Sequence, residues 1–288
     1  MFELDSYLKQ RAAMVEDSLT QLLPRDGVLA DAMRYTTLGG GKRLRAVLFL
    51  AAAEYSGLAE LKAVMPAAAA LECVQAYSLI HDDLPCMDDD EMRRGKPTNH
   101  RVFGEAVALL AGDGLLTYAF ELLSKLNLPA ANVLAAISDL AVAIGPAGMV
   151  EGQALDCQWT GKRLSLEQMK QLHLRKTAAL LCSALRCGAH LAGAQEADLA
   201  ALTAYGLNFG LAFQIIDDLL DEAGDPEKMG KNAGSDARLG KTTYPVLLGA
   251  AEAKKLAVSA IADAKAALAP ARSEALSGLA DYVISRQS

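Results

Sequence analysis

Residues 199–221 read LAALTAYGLNFGLAFQIIDDLLD, and this stretch decides the fold class. Eighteen uncharged positions, Leu199 to Ile216, run straight into Asp217, Asp218 and Asp221. Gly210, Gln214, Asp217 and Asp221 are spaced by 4, 3 and 4, which puts them on one helical face. Gly224 and Pro226 then supply a stop signal. Thr203, Gly206, Asn208 and Gln214 interrupt the apolar run. It therefore predicts a buried core helix rather than a membrane span, with acids at its C-terminal end.

The same arrangement occurs earlier. A stripe at Leu71, Gln75, Ser78 and Asp82 leads into Asp82-Asp83-Leu84-Pro85-Cys86-Met87-Asp88-Asp89-Asp90. Pro85 stops that helix, so Asp82 and Asp83 also sit at a helix C-terminus. Carboxylates there face the negative end of the helix dipole, at a cost of about 0.3–1 kcal/mol each. One such run is readily a solvated helix end. Two of them, each opening with Asp-Asp after an apolar helix, point to a bound cation. Carboxylate oxygens suit a hard divalent ion. The four histidines are scattered and no Cys-x-x-Cys pair occurs, which argues against zinc. Neither run carries the twelve-residue EF-hand pattern.

Away from these sites helical periodicity recurs almost everywhere. It predicts helices near 2–22, 28–37, 44–57, 63–83, 100–124, 130–159, 165–192, 195–222, 243–267 and 270–286. No sustained period-2 alternation, 20–50-residue repeat or low-complexity linker marks a sheet or a second domain. The expectation is an all-α chain, one domain over 1–288, built as a single large bundle of about ten or more helices. Long loops are expected at 84–99 and 224–242.

The net charge is −7, which weighs against nucleic acid as a partner. The windows 82–91 and 217–227 hold six acids each and no base, leaving 23 acids against 28 bases elsewhere. Negative charge is thus concentrated where a cation is expected. Five cysteines without paired spacing, and a start lacking a basic, apolar leader, suggest a reduced cytoplasmic protein with no membrane span.

Bases accompany the acids. Gly39-Gly40-Gly41-Lys42-Arg43-Leu44-Arg45 precedes an apolar helix, and glycines, a helix N-terminus and three bases make a diphosphate cradle. Its spacing is not that of a P-loop. Arg93-Arg94-Gly95 follows the first acid run, and two arginines there could clamp a phosphate. Lys176-Thr177 lies in a helix, while Lys231 and Lys241 lie in the second loop. Taken singly, each has a plainer reading as a solvent-facing base.

Taken in order, these motifs resemble the trans-isoprenyl diphosphate synthase family over nearly the whole chain. Gly40 to Arg45 is similar to its first basic motif. Asp82, Asp83 and Asp88 with Arg93-Arg94-Gly95 resemble its first aspartate-rich motif. Gly152-Gln153-Ala154-Leu155-Asp156, Lys176-Thr177, Gln214 to Asp221, Lys231 and Lys241 resemble later ones. The resemblance implies helices around a deep central cavity, usually in a homodimer, and joining of isopentenyl diphosphate to an allylic diphosphate. It implies that Asp82, Asp83, Asp88, Asp217 and Asp218 hold three Mg²⁺ ions per site, with Asp221 in the outer shell. Mn²⁺ would be able to substitute. Asp156 would act through metal-bound water. Arg93, Lys176, Lys231 and Lys241 would hold the allylic diphosphate, and Lys42, Arg45, Gln75 and Arg94 isopentenyl diphosphate. Thr177 and Gln214, with Lys176, would lie beside the reacting centre. One departure is visible: Ala46 stands where the family's first basic motif usually has Pro.

Tyr77 lies five residues before Asp82, about 7.5 Å along a helix. Its aromatic ring, Ser78 and the Pro85-Cys86 insertion resemble bacterial-type farnesyl diphosphate synthases, which implies a C15 product from dimethylallyl and geranyl diphosphate. Tyr77 as ordinary core is the plainer alternative. A C20 or C10 synthase is the rival inside the family. A class I terpene cyclase fits less well, because the second acid run repeats Asp-Asp-x-x-Asp. A non-catalytic partner subunit would be expected to lack acids from one run, and none is missing.

Overall fold

The computed structural model describes residues 2–223 and 241–286. Lys231 lies outside the described residues. Within them the chain is helical almost throughout: α1 (Leu4–Leu22), α2 (Val28–Thr37), α3 (Leu44–Tyr55), α4 (Met65–Asp82), α5 (Asn99–Phe103), α6 (Glu105–Ser124) and α7 (Ala130–Ile144). These are followed by α8 (Met149–Trp159), α9 (Leu166–His173), α10 (Ala179–Ala192), α11 (Glu196–Ala223), α12 (Tyr244–Leu248), α13 (Ala250–Ala266) and α14 (Glu274–Ser285). The all-α expectation holds.

Two apolar cores share one wall. The first surrounds α4, where Leu71, Val74 and Ile80 meet Leu115 of α6. The second surrounds α11, where Leu202, Tyr205, Phe209 and Ile215 meet Leu181 of α10 and Leu279 of α14. Helices α3 and α10 feed both: Phe49 and Leu50 point one way, Val47 and Leu48 the other. Burial on both sides explains why α3 has no polar face. Each fully buried large side chain contributes about 1.5–3 kcal/mol. Thus α4 and α11, the helices that carry the two acid runs towards their C-terminal ends, are each anchored in one of these cores.

Several predicted helices are divided. The 100–124 segment breaks at Gly104 and the 243–267 segment at Gly249, with φ of 83° and 81°. Those left-handed angles end one helix and begin the next. The 130–159 segment breaks at Gly145, extended at φ −83° and ψ −159° before Pro146, which has no N–H to continue the ladder. The 84–99 loop contains a small hairpin in which Met92 pairs with Pro97 and Arg93 with Lys96. Its turn residues Arg94 and Gly95 both have positive φ, as a two-residue hairpin turn requires. Strands of two residues are too short to show alternation in sequence.

Four helical segments are long and apolar enough to cross a membrane by length and composition: Leu61–Asp82, Glu105–Ser124, Ala130–Trp159 and Glu196–Glu222. The expectation of no membrane span therefore finds no support in length and composition. Packing separates the four: the first is mostly buried inside the bundle, whereas the second and third keep exposed apolar residues.

Candidate active site

Asp82 is the last residue of α4 and Asp83 caps it. The chain then doubles back. The Asp88 N–H donates to the Asp82 carbonyl at 2.9 Å, and the Met87 N–H donates to that of Leu84 at 2.8 Å. The Pro85-Cys86 insertion is the tip of this turn, so Asp88 returns to Asp82. Burial pushes the Asp82 carboxyl up, and the neighbouring Asp88 and Asp156 charges push the same way against Lys176 and Arg93.

Asp83 is buried and takes Nε of Arg93 on both oxygens, at 2.7 and 2.9 Å. Burial still raises it to about 6. Arg93 therefore clamps a carboxylate of its own chain, where the sequence suggested a phosphate clamp.

The second constellation centres on Asp156 of α8. Its Oδ2 accepts from Lys176 Nζ at 2.5 Å and from Lys241 Nζ at 3.1 Å. Lys241 also reaches Asp88 at 3.2 Å. Burial alone would raise Asp156, but the two ammonium groups hold it below the usual carboxylate range. Lys176 and Thr177 lie in a single π turn, Leu174–Ala178, between α9 and α10. Such turns commonly mark functional positions in helices. Gly152, one turn before Asp156, packs directly on this turn. A Cβ there would fall 2.6 Å from Lys176 Cα and 2.9 Å from the Arg175 carbonyl carbon. On the other side, a Cβ at Gly210 would fall 2.7 Å from Ala178 Cα. Two glycines thus let α8 and α11 close on the π turn that holds Lys176 and Thr177.

From the π turn the bonds continue to the second acid run. Thr177 donates to Gln214 Oε1 at 3.0 Å, and Gln214 Nε2 donates to Asp218 Oδ1 at 2.8 Å. The Tyr244 N–H donates to Asp218 Oδ2 at 2.9 Å. Asp217 meets Arg286 at 3.3 Å, and Asp221 is buried below it on α11. The two acid runs therefore share one site. A cavity of about 500 Å³ is lined by Arg45, Gln75, Tyr77, Ser78, Asp82, Cys86, Lys176 and Thr177, among others. A small cleft beside it is lined by Asp156, Lys176, Thr177, Gln214, Asp218 and Lys241. Lys176 and Thr177 belong to both. Tyr77, although off the Asp82 stripe, faces the same cavity. Pro85 is exposed and is not part of the cavity wall, so of the inserted pair only Cys86 lines it.

The basic motif is divided in function. Arg43, with φ of 51°, turns inward to Glu16 at 2.7 Å, Glu72 at 3.4 Å and the Thr37 carbonyl at 2.7 Å. It braces the fold and is not one of three cradle bases. Arg94 donates to the Gly40 carbonyl, which closes the hairpin onto the glycine loop. Lys42 lies 5.8 Å from the Tyr282 ring centre. Arg45 lines the recessed cavity: solvent touches it, yet protein surrounds it. Burial lowers it to about 10, with Arg94 adding repulsion against Glu72 and Asp217. Its Nε is buried with no hydrogen-bond partner. A desolvated cation with an idle donor is a site for an anion. At Ala46 the backbone N–H donates to Glu72 at 3.2 Å, a bond that Pro would not make.

Three neighbours were not singled out by sequence reasoning: His173, Tyr244 and Arg286. His173 stacks on Tyr244 with centroids 5.5 Å apart, and burial lowers it to about 3. No spacing rule separates such a histidine from an ordinary core residue. The adjoining Lys176-Thr177 was the available signal.

Among the described residues no three His, Cys, Asp or Glu side chains converge as a ready metal cluster. The donor chemistry nevertheless fits Mg²⁺. Asp82, Asp88 and Asp156 are all oxygen donors, and Asp88 and Asp156 stand close enough to Asp82 for their charges to push its carboxyl up. Hard cations that keep several waters need only one or two carboxylates each.

Comparison with known proteins agrees with this geometry. Residues 26–275 match the family described as Polyprenyl synthetase. The chain is 42% identical to a geranylgeranyl diphosphate synthase of Cyanophora paradoxa, covering 100% of this chain and 98% of that one. It is 44% identical to the farnesyl diphosphate synthase of Escherichia coli, over 99% and 98%. Among solved structures it resembles an FPP/GFPP synthase of Zymomonas mobilis with a TM-score of 0.87 and 36% identity, over 97% and 98%.

Proposed function

The chain belongs to the polyprenyl synthetase family and is a prenyltransferase of isoprenoid biosynthesis, a trans-prenyl diphosphate synthase; we propose that its product is C15 farnesyl diphosphate. In this reading isopentenyl diphosphate condenses head to tail with dimethylallyl and then geranyl diphosphate, and the whole chain acts as one domain. The observation that carries it is the wall of the apolar cavity. Tyr77, Ser78 and Cys86 stand in that wall beside Asp82, where a hydrocarbon tail would enter from a diphosphate held at the acid runs.

Asp82, Asp83, Asp88, Asp217 and Asp218 would hold Mg²⁺, with Asp221 and Asp156 outside them. Bound there, the ions would neutralise diphosphate charge as the allylic C–O bond breaks. Lys176 and Lys241 would turn from Asp156 to the leaving diphosphate, with Arg93 and Lys231 alongside. The π electrons of isopentenyl diphosphate would form the new C–C bond to the allylic cation. A proton would then pass to the departed pyrophosphate, leaving a new double bond. Thr177 and Gln214 oxygens would face the cation, and the apolar wall would keep water from quenching it. Arg45, with Lys42, Gln75 and Arg94, would hold isopentenyl diphosphate.

The exposed apolar residues Leu110, Leu134 and Val142 on α6 and α7 suit coverage by a second copy, in keeping with a homodimer. All five cysteines are free, which suits a cytoplasmic location. The test is incubation with isopentenyl and dimethylallyl diphosphates and chromatography of the dephosphorylated products. Farnesol supports the reading; geranylgeraniol or geraniol as the end product would replace it with a C20 or C10 synthase.

A further inference from the structure

We propose that His81 is a specificity-determining residue: seated in a notch that Gly112 leaves in α6, it holds Tyr77 in place and so sets the depth of the tail cavity. The inference rests on the reading that this cavity takes the growing hydrocarbon.

His81 lies one turn after Tyr77 on α4, and both line the cavity. Their rings meet edge to face, with centroids 5.6 Å apart and an interplanar angle of 82°. Such an arrangement contributes about 0.5–1.5 kcal/mol beyond area burial and fixes the orientation of both rings. The imidazole itself is anchored outside α4. Its Nε2 lies 2.9 Å from the Leu109 carbonyl oxygen of α6. A carbonyl only accepts, so Nε2 carries the proton and donates. Leu109 also lines the cavity, which makes the bond a strut across the wall.

The strut needs room. A Cβ at Gly112 would overlap the imidazole, with Cε1 of His81 only 2.9 Å away. The ring occupies the space that any other residue at 112 would fill. Tyr77 therefore has the His81 ring as a fixed neighbour, and that ring is held by α6 rather than by α4 alone. Asp113, 3.9 Å from Nε2, faces it from the same helix. An aromatic stop works only if it resists an advancing chain, and rotation of Tyr77 is what the strut opposes.

The experiment compares product lengths from isopentenyl and dimethylallyl diphosphates for the unmodified chain, His81→Ala, Tyr77→Ala and the double variant. His81→Ala should raise the ratio of C20 to C15 by roughly tenfold, the scale at which a pocket discriminates one added group. In the Tyr77→Ala background it should change the ratio by less than about twofold, because His81 acts through Tyr77. A purely structural role would lower stability or turnover and leave the ratio alone. An unchanged ratio in active His81→Ala, or full additivity with Tyr77→Ala, overturns the inference. If His81→Ala does not fold, His81→Gln keeps a donor and loses the ring. It should shift the ratio the same way, and an unshifted ratio again overturns the inference. The C15 reading is judged separately, by the unmodified chain alone. If that chain makes C20, the same comparison is read as lengthening beyond C20.

Discussion

Gly152 packs so closely on Lys176 that a Cβ on the glycine would sit 2.6 Å from the lysine Cα. This contact joins α8 to the π turn and brings Asp156, one turn on, to 2.5 Å from Lys176 Nζ. Gly152→Ala should push the two backbones apart and break that pair. Displacement of a reacting group by about 1 Å costs on the order of 100-fold in rate. Steady-state kcat/KM with isopentenyl and geranyl diphosphates checks it, and full activity would remove the contact from the account.

Arg45 offers a second test. Its buried Nε has no partner within the protein. Arg45→Met keeps the stem and removes the charge. The KM for isopentenyl diphosphate should rise roughly tenfold or more, as expected for losing a charged hydrogen bond. The KM for the allylic substrate should change far less. Equal effects on both would place Arg45 elsewhere in the reaction.

The fold was legible in the sequence to the extent that patterning speaks. The uncharged run ending in Asp217-Asp218 is α11, and the stripe at Leu71, Gln75, Ser78 and Asp82 is one side of α4. The breaks at Gly104, Gly145 and Gly249 were missed because apolar periodicity continues across them while the backbone does not. The two acid runs and Lys176-Thr177 stood out by charge in apolar surroundings. The separate fates of Arg43 and Arg45 did not, since neighbouring bases look alike until one meets Glu16 and Glu72. His173 and the His81–Gly112 notch are set by packing between helices, which no local spacing encodes.

His173 carries a pH prediction. Burial lowers it from 6.5 to about 3, so below pH 6.5 the unfolded chain takes up a proton that the folded chain refuses. Stability should therefore fall as pH drops from 6.5 towards 3, by about 1.4 kcal/mol per pH unit from this group. His173→Phe keeps a ring against Tyr244 and removes the titration. Denaturant unfolding at pH 7, 6 and 5 should show the variant losing less stability than the unmodified chain. Parallel losses would mean that His173 is already accessible to protons in the folded state.

Tyr77 is buried in the cavity wall, and its hydroxyl is pushed up to about 12 chiefly by that burial. Tyr77→Ala opens space beyond the C15 position and should move the main product to C20. Chromatography of dephosphorylated products reads the change. An unaltered product length would leave Tyr77 as core and nothing more.

Pyrophosphate release from isopentenyl and geranyl diphosphates, followed across a Mg²⁺ titration, addresses the joint use of both acid runs. Release should be negligible in chelator, rise with Mg²⁺ to saturation, and be lost in Asp82→Ala and in Asp218→Ala alike. Release that persists without divalent metal, or that survives removal of either aspartate, would contradict it.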